Sequence, residues 1–486
     1  MAKRRAFKDD DDFLSFLAMG AHGTRQVLAN LSQQGHRPLL LDRGSSDFKI
    51  WKQTRIKGVR VPDILCVNNG RRIESRAKAE FEISGSHSTK DPQRTWDYGM
   101  NEGDYLALPV CSRCGDRPID WQVGTLVQYV SYGDLRQTFD HAFVTEAKGV
   151  QQGSEKRVIW PSSIASSSGH VTQISADRIQ YCTESGRTIT LKLVKKGQQL
   201  TPRVAVAQNV VTNQVLASVV QVTTTVPLDP PVGVDHYLRD LESMSQSVRF
   251  AAAKALRLFQ SGGIDAALLA HMDNPEEHIF VRLEAAGSLI SLRQEQGWSF
   301  LVATLADQHA AHRLEAVIVL AEIDDPRARR LLLDVLMHAE QPADVRAGAA
   351  WALGEHRDSD ALGALVAVFA DSSQDVRIEA ARALAKIAPK AQDGLLDAFK
   401  TASEETRPGV AWALSKSGFV NIGRLLPTFT NADARQWAAF IIGTQDRQKF
   451  IADIEQLKNG DPEVYFAVTV LWKILSNWVF DLKDFG

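Results

Sequence analysis

The chain has 486 residues, 58 acidic against 56 basic side chains, a net charge of −2 and a sequence pI of about 6.6. That length exceeds one ordinary core and points to roughly three domains. The balanced charge excludes a globally basic nucleic-acid binder, and four cysteines exclude a disulfide framework.

In chain order, residues 1–12 run basic and then acidic and read as a mobile tail. They lack the apolar stretch of a leader, and no later run approaches the roughly 18 continuous apolar residues of a membrane span, so a cytoplasmic protein with no membrane partner is expected. Phe13, Phe16, Leu17, Val27, Leu28 and Leu31 recur at helical spacing as far as Gln34, with Gly20 and Gly23 interrupting, which predicts one or two helices. Short alternating runs over 37–41 and 48–51 predict strands. Residues 61–78, VPDILCVNNGRRIESRAK, place two alternating apolar runs around Asn68-Asn69-Gly70, the strongest short-range hairpin signal. On the second strand Glu74, Arg76 and Lys78 share a face, and Asp63 on the first strand can meet them. Two carboxylates beside cations point to a hard divalent ion and to phosphate; the same charges also suit the wet side of an antiparallel sheet.

Pro62-Asp63, ten intervening residues and Glu74-Ser75-Arg76 resemble the PD-(D/E)XK pattern of nucleases with restriction-endonuclease-like folds. The resemblance covers roughly residues 12–115. It implies Asp63, Glu74 and the backbone carbonyl of Ser75 as ligands of Mg2+ or Mn2+. The sequence departs from the pattern where the family has lysine and this chain has Arg76, which cannot accept a proton but can stabilise phosphorane-like charge. Lys78, one pleat further along, can take the lysine's place. No Glu occurs between residues 13 and 73 to supply a helical ligand, so Asp42 or Asp47 stands in for it.

After Lys78 the strand is expected to continue through Phe81 and Ile83 and to break at Gly85-Ser86-His87-Ser88, with His87 at the surface. DYLALPVC, 104–111, reads as a further buried strand, giving the order α, β, β, β, short helix, β. Cys111 and Cys114 have the spacing of a zinc knuckle. With Cys66 they would form a degenerate Zn2+ site, whereas a redox role is disfavoured because a turn rather than a helix follows.

Residues 166–227 are rich in Val, Thr and Ile. A hairpin around Glu184-Ser185-Gly186 predicts a small β-rich domain of SH3-like size, and prolines at 227, 230 and 231 mark a stiff linker over 228–235.

From residue 236 to the end, Arg249, Arg282, Arg313, Arg346, Arg377, Arg407 and Arg435 recur at spacings of 33, 31, 33, 31, 30 and 28 residues. Most are followed by small residues and Leu. This resembles HEAT repeats of the lyase-like type, which implies an α-solenoid with an atypical capping unit at 461–475 around Tyr465. Each arginine is expected to brace a turn, paired with an acid such as Asp344 or Asp375. Trp351 and Trp412 read as core or partner-facing aromatics, and Arg327, Arg329 and Arg330 as a solvated helix face.

The sequence thus predicts an α/β nuclease-like domain over 13–165, the β-rich domain and the solenoid. Its function is read as metal-dependent cleavage of nucleic acid, DNA before RNA, as in a prokaryotic antiviral defence effector whose HEAT array recruits a protein partner or grips nucleic acid. The alternative is a catalytically inactive nucleic-acid-binding or scaffold subunit. A bilin lyase, suggested by the repeats alone, leaves the N-terminal half unexplained.

Overall fold

A computed structural model describes residues 10–41, 61–88, 91, 95–115, 120–146, 155–417, 420, 422–444 and nine single positions between 452 and 470. Asp42, Asp47, the run at 48–51 and most of the capping unit lie outside the described residues. The chain divides into two compact units between Ile264 and Asp265.

The first unit opens with α1 (Asp10–Gln33), one continuous helix through Gly20 and Gly23. Then follow β1 (Pro38–Leu40), β2 (Ile64–Cys66), β3 (Arg71–Ser75), β4 (Ile83–Ser88), β5 (Tyr105–Arg113) and β6 (Trp121–Ser131). A five-stranded sheet has the order β1-β2-β3-β5-β6. Its first three strands are antiparallel, β3 runs parallel to β5, and β6 returns antiparallel. Val27 and Leu31 of α1 meet Ile64, Cys66, Ile73, Ala107, Val127 and Tyr129 of the sheet in one core. Burying a side chain of this size contributes about 1.5–3 kcal/mol, so the amphipathic stripe is what fixes α1 on the sheet.

Where a strand break was expected, Gly85-Ser86-His87-Ser88 lies inside β4 and pairs with β8 (Glu155–Trp160), which also pairs with β7 (Phe143–Glu146). Pairing with a segment distant in sequence overrides the weak local propensity of Gly and Ser. Gly85 is required there, because a Cβ would stand 2.4 Å from Trp96 Cβ. Where a short helix was expected before β5, the described residues form β4 and a turn over 96–99. The short helix α2 (Tyr132–Gln137) follows β6 instead.

The middle strands are β9 (Ser162–Ile164), β10 (Gly169–Ile174), β11 (Arg178–Thr183), β12 (Thr188–Lys192), β13 (Val194–Lys195), β14 (Gln198–Gln199), β15 (Thr201–Pro202), β16 (Asn209–Val210) and β17 (Val215–Ser218). The predicted hairpin is β11–β12, with Gly186 at φ +81° in its turn. These strands are built into the first unit. Val215 and Val220 share a core with Trp96, Tyr132 and Trp160. Gln128 Oε1 accepts from the Val215 amide at 2.8 Å, and Tyr129 and Thr223 exchange backbone hydrogen bonds at 2.8 and 3.0 Å.

The first helix pair, α3 (Val234–Leu241) and α4 (Gln246–Leu256), also belongs to this unit, so the linker predicted at 228–235 is no boundary. The Val232 amide donates to Asn68 O at 2.9 Å, and the Tyr237 hydroxyl to Val67 O at 2.7 Å.

The second unit is helical: α5 (Ile264–Asp273), α6 (Ile279–Ser291), α7 (Glu295–Leu305), α8 (Ala310–Leu320), α9 (Pro326–Met337), α10 (Ala343–His356), α11 (Leu362–Ala367), α12 (Gln374–Thr401), α13 (Arg407–Lys416), α14 (Ile422–Leu425) and α15 (Ala432–Gly443). Successive helices pack α6 on α8, α8 on α10, α10 on α12, α12 on α13 and α13 on α15. The repeat arginines brace turns, Arg346 partly through an acid as expected and Arg282 and Arg435 through backbone carbonyls. Arg282 Nε donates to Met272 O at 2.7 Å, Arg435 Nε to Phe429 O at 3.0 Å, and Arg346 Nε to Gln341 O at 3.2 Å. Arg346 also pairs with Asp371, and Arg377 reaches the backbone carbonyl of that same residue. A carbonyl at the end of a helix is an unsatisfied acceptor, and a charged donor there is worth about 1.5–3 kcal/mol. No helix among the described residues is long and apolar enough to cross a membrane.

Candidate functional site

The charged hairpin is positioned by a tight turn. Gly70 at φ +73° donates its amide to Cys66 O at 2.9 Å, closing β2 onto β3. Only glycine suits the position twice over, because a Cβ would also stand 2.4 Å from His236 Nε2 on α3. Asn69 holds the turn with both ends of its carboxamide, donating to Pro227 O at 2.7 Å and accepting from the Arg71 amide at 3.2 Å. Beneath the hairpin, buried Arg72 and Asp104 form an ion pair at 2.5 Å, with Arg72 also donating to Ser247 Oγ at 2.9 Å and Gly99 O at 3.0 Å. Every charge in that pair is answered, so its role is structural.

Ile64 lies opposite Ile73, so Asp63 and Glu74 are cross-strand neighbours. The strand direction continues past Ser75. The Arg76 amide donates to Ala107 O at 2.9 Å and the Lys78 amide to Pro109 O at 3.0 Å. Glu74, Arg76 and Lys78 therefore stay on one face, as the alternation predicted.

What these groups do was not legible in the alternation. Arg76 Nη2 lies 2.5 Å from Glu74 Oε1, an ion pair whose arginine side chain is 51 % exposed and whose glutamate is buried. The Glu74 carboxylate holds the guanidinium above its ordinary value against the opposing effect of burial, and Asp63 acts in the same sense. Asp63 Oδ2 accepts from the Ser75 amide at 2.7 Å. Lys78 Nζ donates to Ser84 Oγ at 3.0 Å, and burial pulls its ammonium down to about 8, with Glu82 opposing and Arg157 and Arg76 adding to the fall. Glu74 is thus engaged by Arg76 at Oε1 and Asp63 by the Ser75 amide at Oδ2, while Lys78 is turned to Ser84. Mg2+ is held by one or two carboxylates and several waters, and each carboxylate has two oxygens, so a cation here would compete with Arg76 for Glu74.

The expected zinc ligands are not brought together. Cys66 is buried in the α1–sheet core, which pushes its thiol up to about 12, and buried Cys111 is pushed up to about 11. Cys111 lies within β5 and Cys114 just beyond its end. Cys114 is exposed. His87 is half-buried at the end of β4.

The HEAT-repeat family model matches residues 299–385 and 364–421. No curated protein matches the sequence. Among solved structures, human deoxyhypusine hydroxylase in complex with glycerol is 17 % identical, over 43 % of this chain and 96 % of that one, at a TM-score of 0.24. The complex of CpcE and CpcF of phycocyanin lyase from Nostoc is 18 % identical, over 52 % and 97 %, at 0.26. A designed armadillo repeat protein in complex with a peptide is 19 % identical, over 50 % and 99 %, at 0.21. Likeness at this level says nothing of activity. The chain carries a C-terminal solenoid of HEAT repeats, preceded by a β-rich N-terminal region.

Proposed function

We propose that this chain is a non-catalytic scaffold: its HEAT array docks a protein partner, and its N-terminal hairpin is a degenerate nuclease-like site whose Arg76 and Lys78 are the groups suited to meet nucleic acid. The observation that supports this reading is the Arg76–Glu74 ion pair, in which a guanidinium engages the carboxylate that the nuclease resemblance would assign to the metal ion. HEAT arrays expose long repetitive surfaces suited to partners, which supports the docking role.

A second reading, a metal-dependent PD-(D/E)XK nuclease, is favoured by one specific observation. Asp63 and Glu74 are cross-strand neighbours on a sheet whose third strand runs parallel to the next, and Lys78, four residues further along, carries an amine lowered to about 8. An amine in that range can exchange a proton near neutrality.

The test is incubation of the full chain, with Asp63→Ala and Glu74→Ala beside it, on duplex DNA, single-stranded DNA and RNA in Mg2+ or Mn2+. No cleavage by any of the three is expected. Cleavage by the wild type that both substitutions abolish at unchanged melting would overturn the scaffold reading in favour of the nuclease.

A further inference from the structure

A second cluster of chemistry-bearing side chains lies far along the sequence from the hairpin, in the turn between α7 and α8 and the first turn of α8. Asp307 Oδ1 accepts from the His309 amide at 2.7 Å, which fixes the carboxylate. Both imidazoles then turn their Nδ1 atoms toward it, His309 at 3.1 Å from Oδ1 and His312 at 3.2 Å from Oδ2. The two rings stand 4.7 Å apart. One ligand atom from each residue lies within 4.8 Å of the other two, and among the described residues no other group of three does so.

The spacing suits a metal as well as it suits hydrogen bonds. Ligands held at about 2.0–2.2 Å around a tetrahedral ion stand roughly 3.3–3.5 Å from one another. Each imidazole Nδ1 already stands near that distance from a carboxylate oxygen, His309 from Oδ1 and His312 from Oδ2, and the rings must turn to bring both onto one ion. His309, 58 % exposed, sits at the rim where its ring can turn. His312 Nδ1 is buried and faces Asp307 Oδ2 at 3.2 Å.

The N-terminus of α8 opposes a cation with about half a unit of charge, and the full charge of Asp307 outweighs it. That carboxylate is held below its ordinary range: burial would raise it, and the His309 amide and both imidazoles more than offset this. Arg313, the nearest guanidinium in sequence, points away, donating to Gln341 Oε1 at 2.9 Å. Two imidazoles and one carboxylate select borderline transition metals over Mg2+ or Ca2+.

We propose that Asp307, His309 and His312 form a three-ligand site for a divalent metal of the Zn2+ class, with its remaining position open to water or to a donor from outside the chain.

The experiment uses the full chain, free of affinity tags and stripped by chelator. Zn2+ uptake is followed by calorimetry and Co2+ uptake by visible absorption, in wild type, Asp307→Asn, His309→Gln and His312→Gln. Uptake of one ion per chain is expected, weakened at least about tenfold by each substitution, with the Co2+ bands lost. The exposed His309→Gln change leaves melting unchanged and keeps the result readable if another variant unsettles the turn. Absence of Zn2+ uptake by the wild type, or uptake that His309→Gln leaves intact, overturns the site.

Discussion

Lys78 holds a positive charge where little water reaches it, and its ammonium lies at about 8 against an ordinary 10.5. Between those values the unfolded chain carries a proton that the native chain lacks, so stability rises with pH through the window and the full cost is present below pH 8. Lys78→Met removes the charge. It is expected to unfold at higher urea than wild type at pH 7, by up to about 3 kcal/mol less the lost bond to Ser84, with the gain fading from pH 8 to about 10.5. A Met variant less stable than wild type at pH 7 would show that the Ser84 bond, not desolvation, governs the position. The common face of Glu74, Arg76 and Lys78 was legible because strand alternation is a property of neighbours in sequence. The choice of Arg76 as Glu74's partner was not, because periodicity tells where a carboxylate points and not which cation it takes. The zinc knuckle misled for the converse reason: its spacing assumes a turn, and Cys111 stands in an extended strand.

Among elements, the helices of the second unit were the most legible, since each repeats the same pattern of small residues after an arginine. That pattern has a measurable basis. In α10 a Cβ at Gly354 would stand 2.7 Å from the Ala383 Cα of α12, backbone that cannot step aside. Gly354→Ala is expected to lose about 1–3 kcal/mol by denaturant unfolding despite alanine's better helix propensity. Gly363, exposed on α11 with no atom within 4 Å of a built Cβ, is its control, and Gly363→Ala is expected to gain about 0.5–1 kcal/mol. Equal effects at the two glycines would remove close approach as the reason for the first. The β4–β8 pairing was illegible because its partners are more than sixty residues apart, and local composition at Gly85-Ser86-His87-Ser88 argues for a loop. The arginines were correctly placed at the turns; Arg346 takes an acid, Asp371 rather than the neighbouring Asp344, whereas Arg282 and Arg435 take backbone carbonyls, which leave no trace in side-chain spacing.

For the whole molecule, length and the change of pattern near residue 230 revealed both halves but put the divide too early. The prolines read as a linker, yet α3 and α4 are fastened to the sheet by Tyr237 to Val67, by Arg72 to Ser247 and by Lys254 Nζ to Leu41 O at 3.4 Å. A fragment ending at residue 227 is therefore expected to melt below one ending at 264, or not to fold, in a thermal scan followed by circular dichroism; equal melting would restore the sequence-based boundary. The same fastening bears on how the protein ages. An Asn-Gly bond in a loose chain deamidates readily, when the glycine nitrogen attacks the side-chain carbonyl. At Asn69-Gly70 that nitrogen is engaged with Cys66 O, and the carboxamide is tied at both ends. The native turn shelters its weakest covalent point, so a carboxylate newly formed at residue 69 would be a chemical record of time spent with the hairpin tip undone.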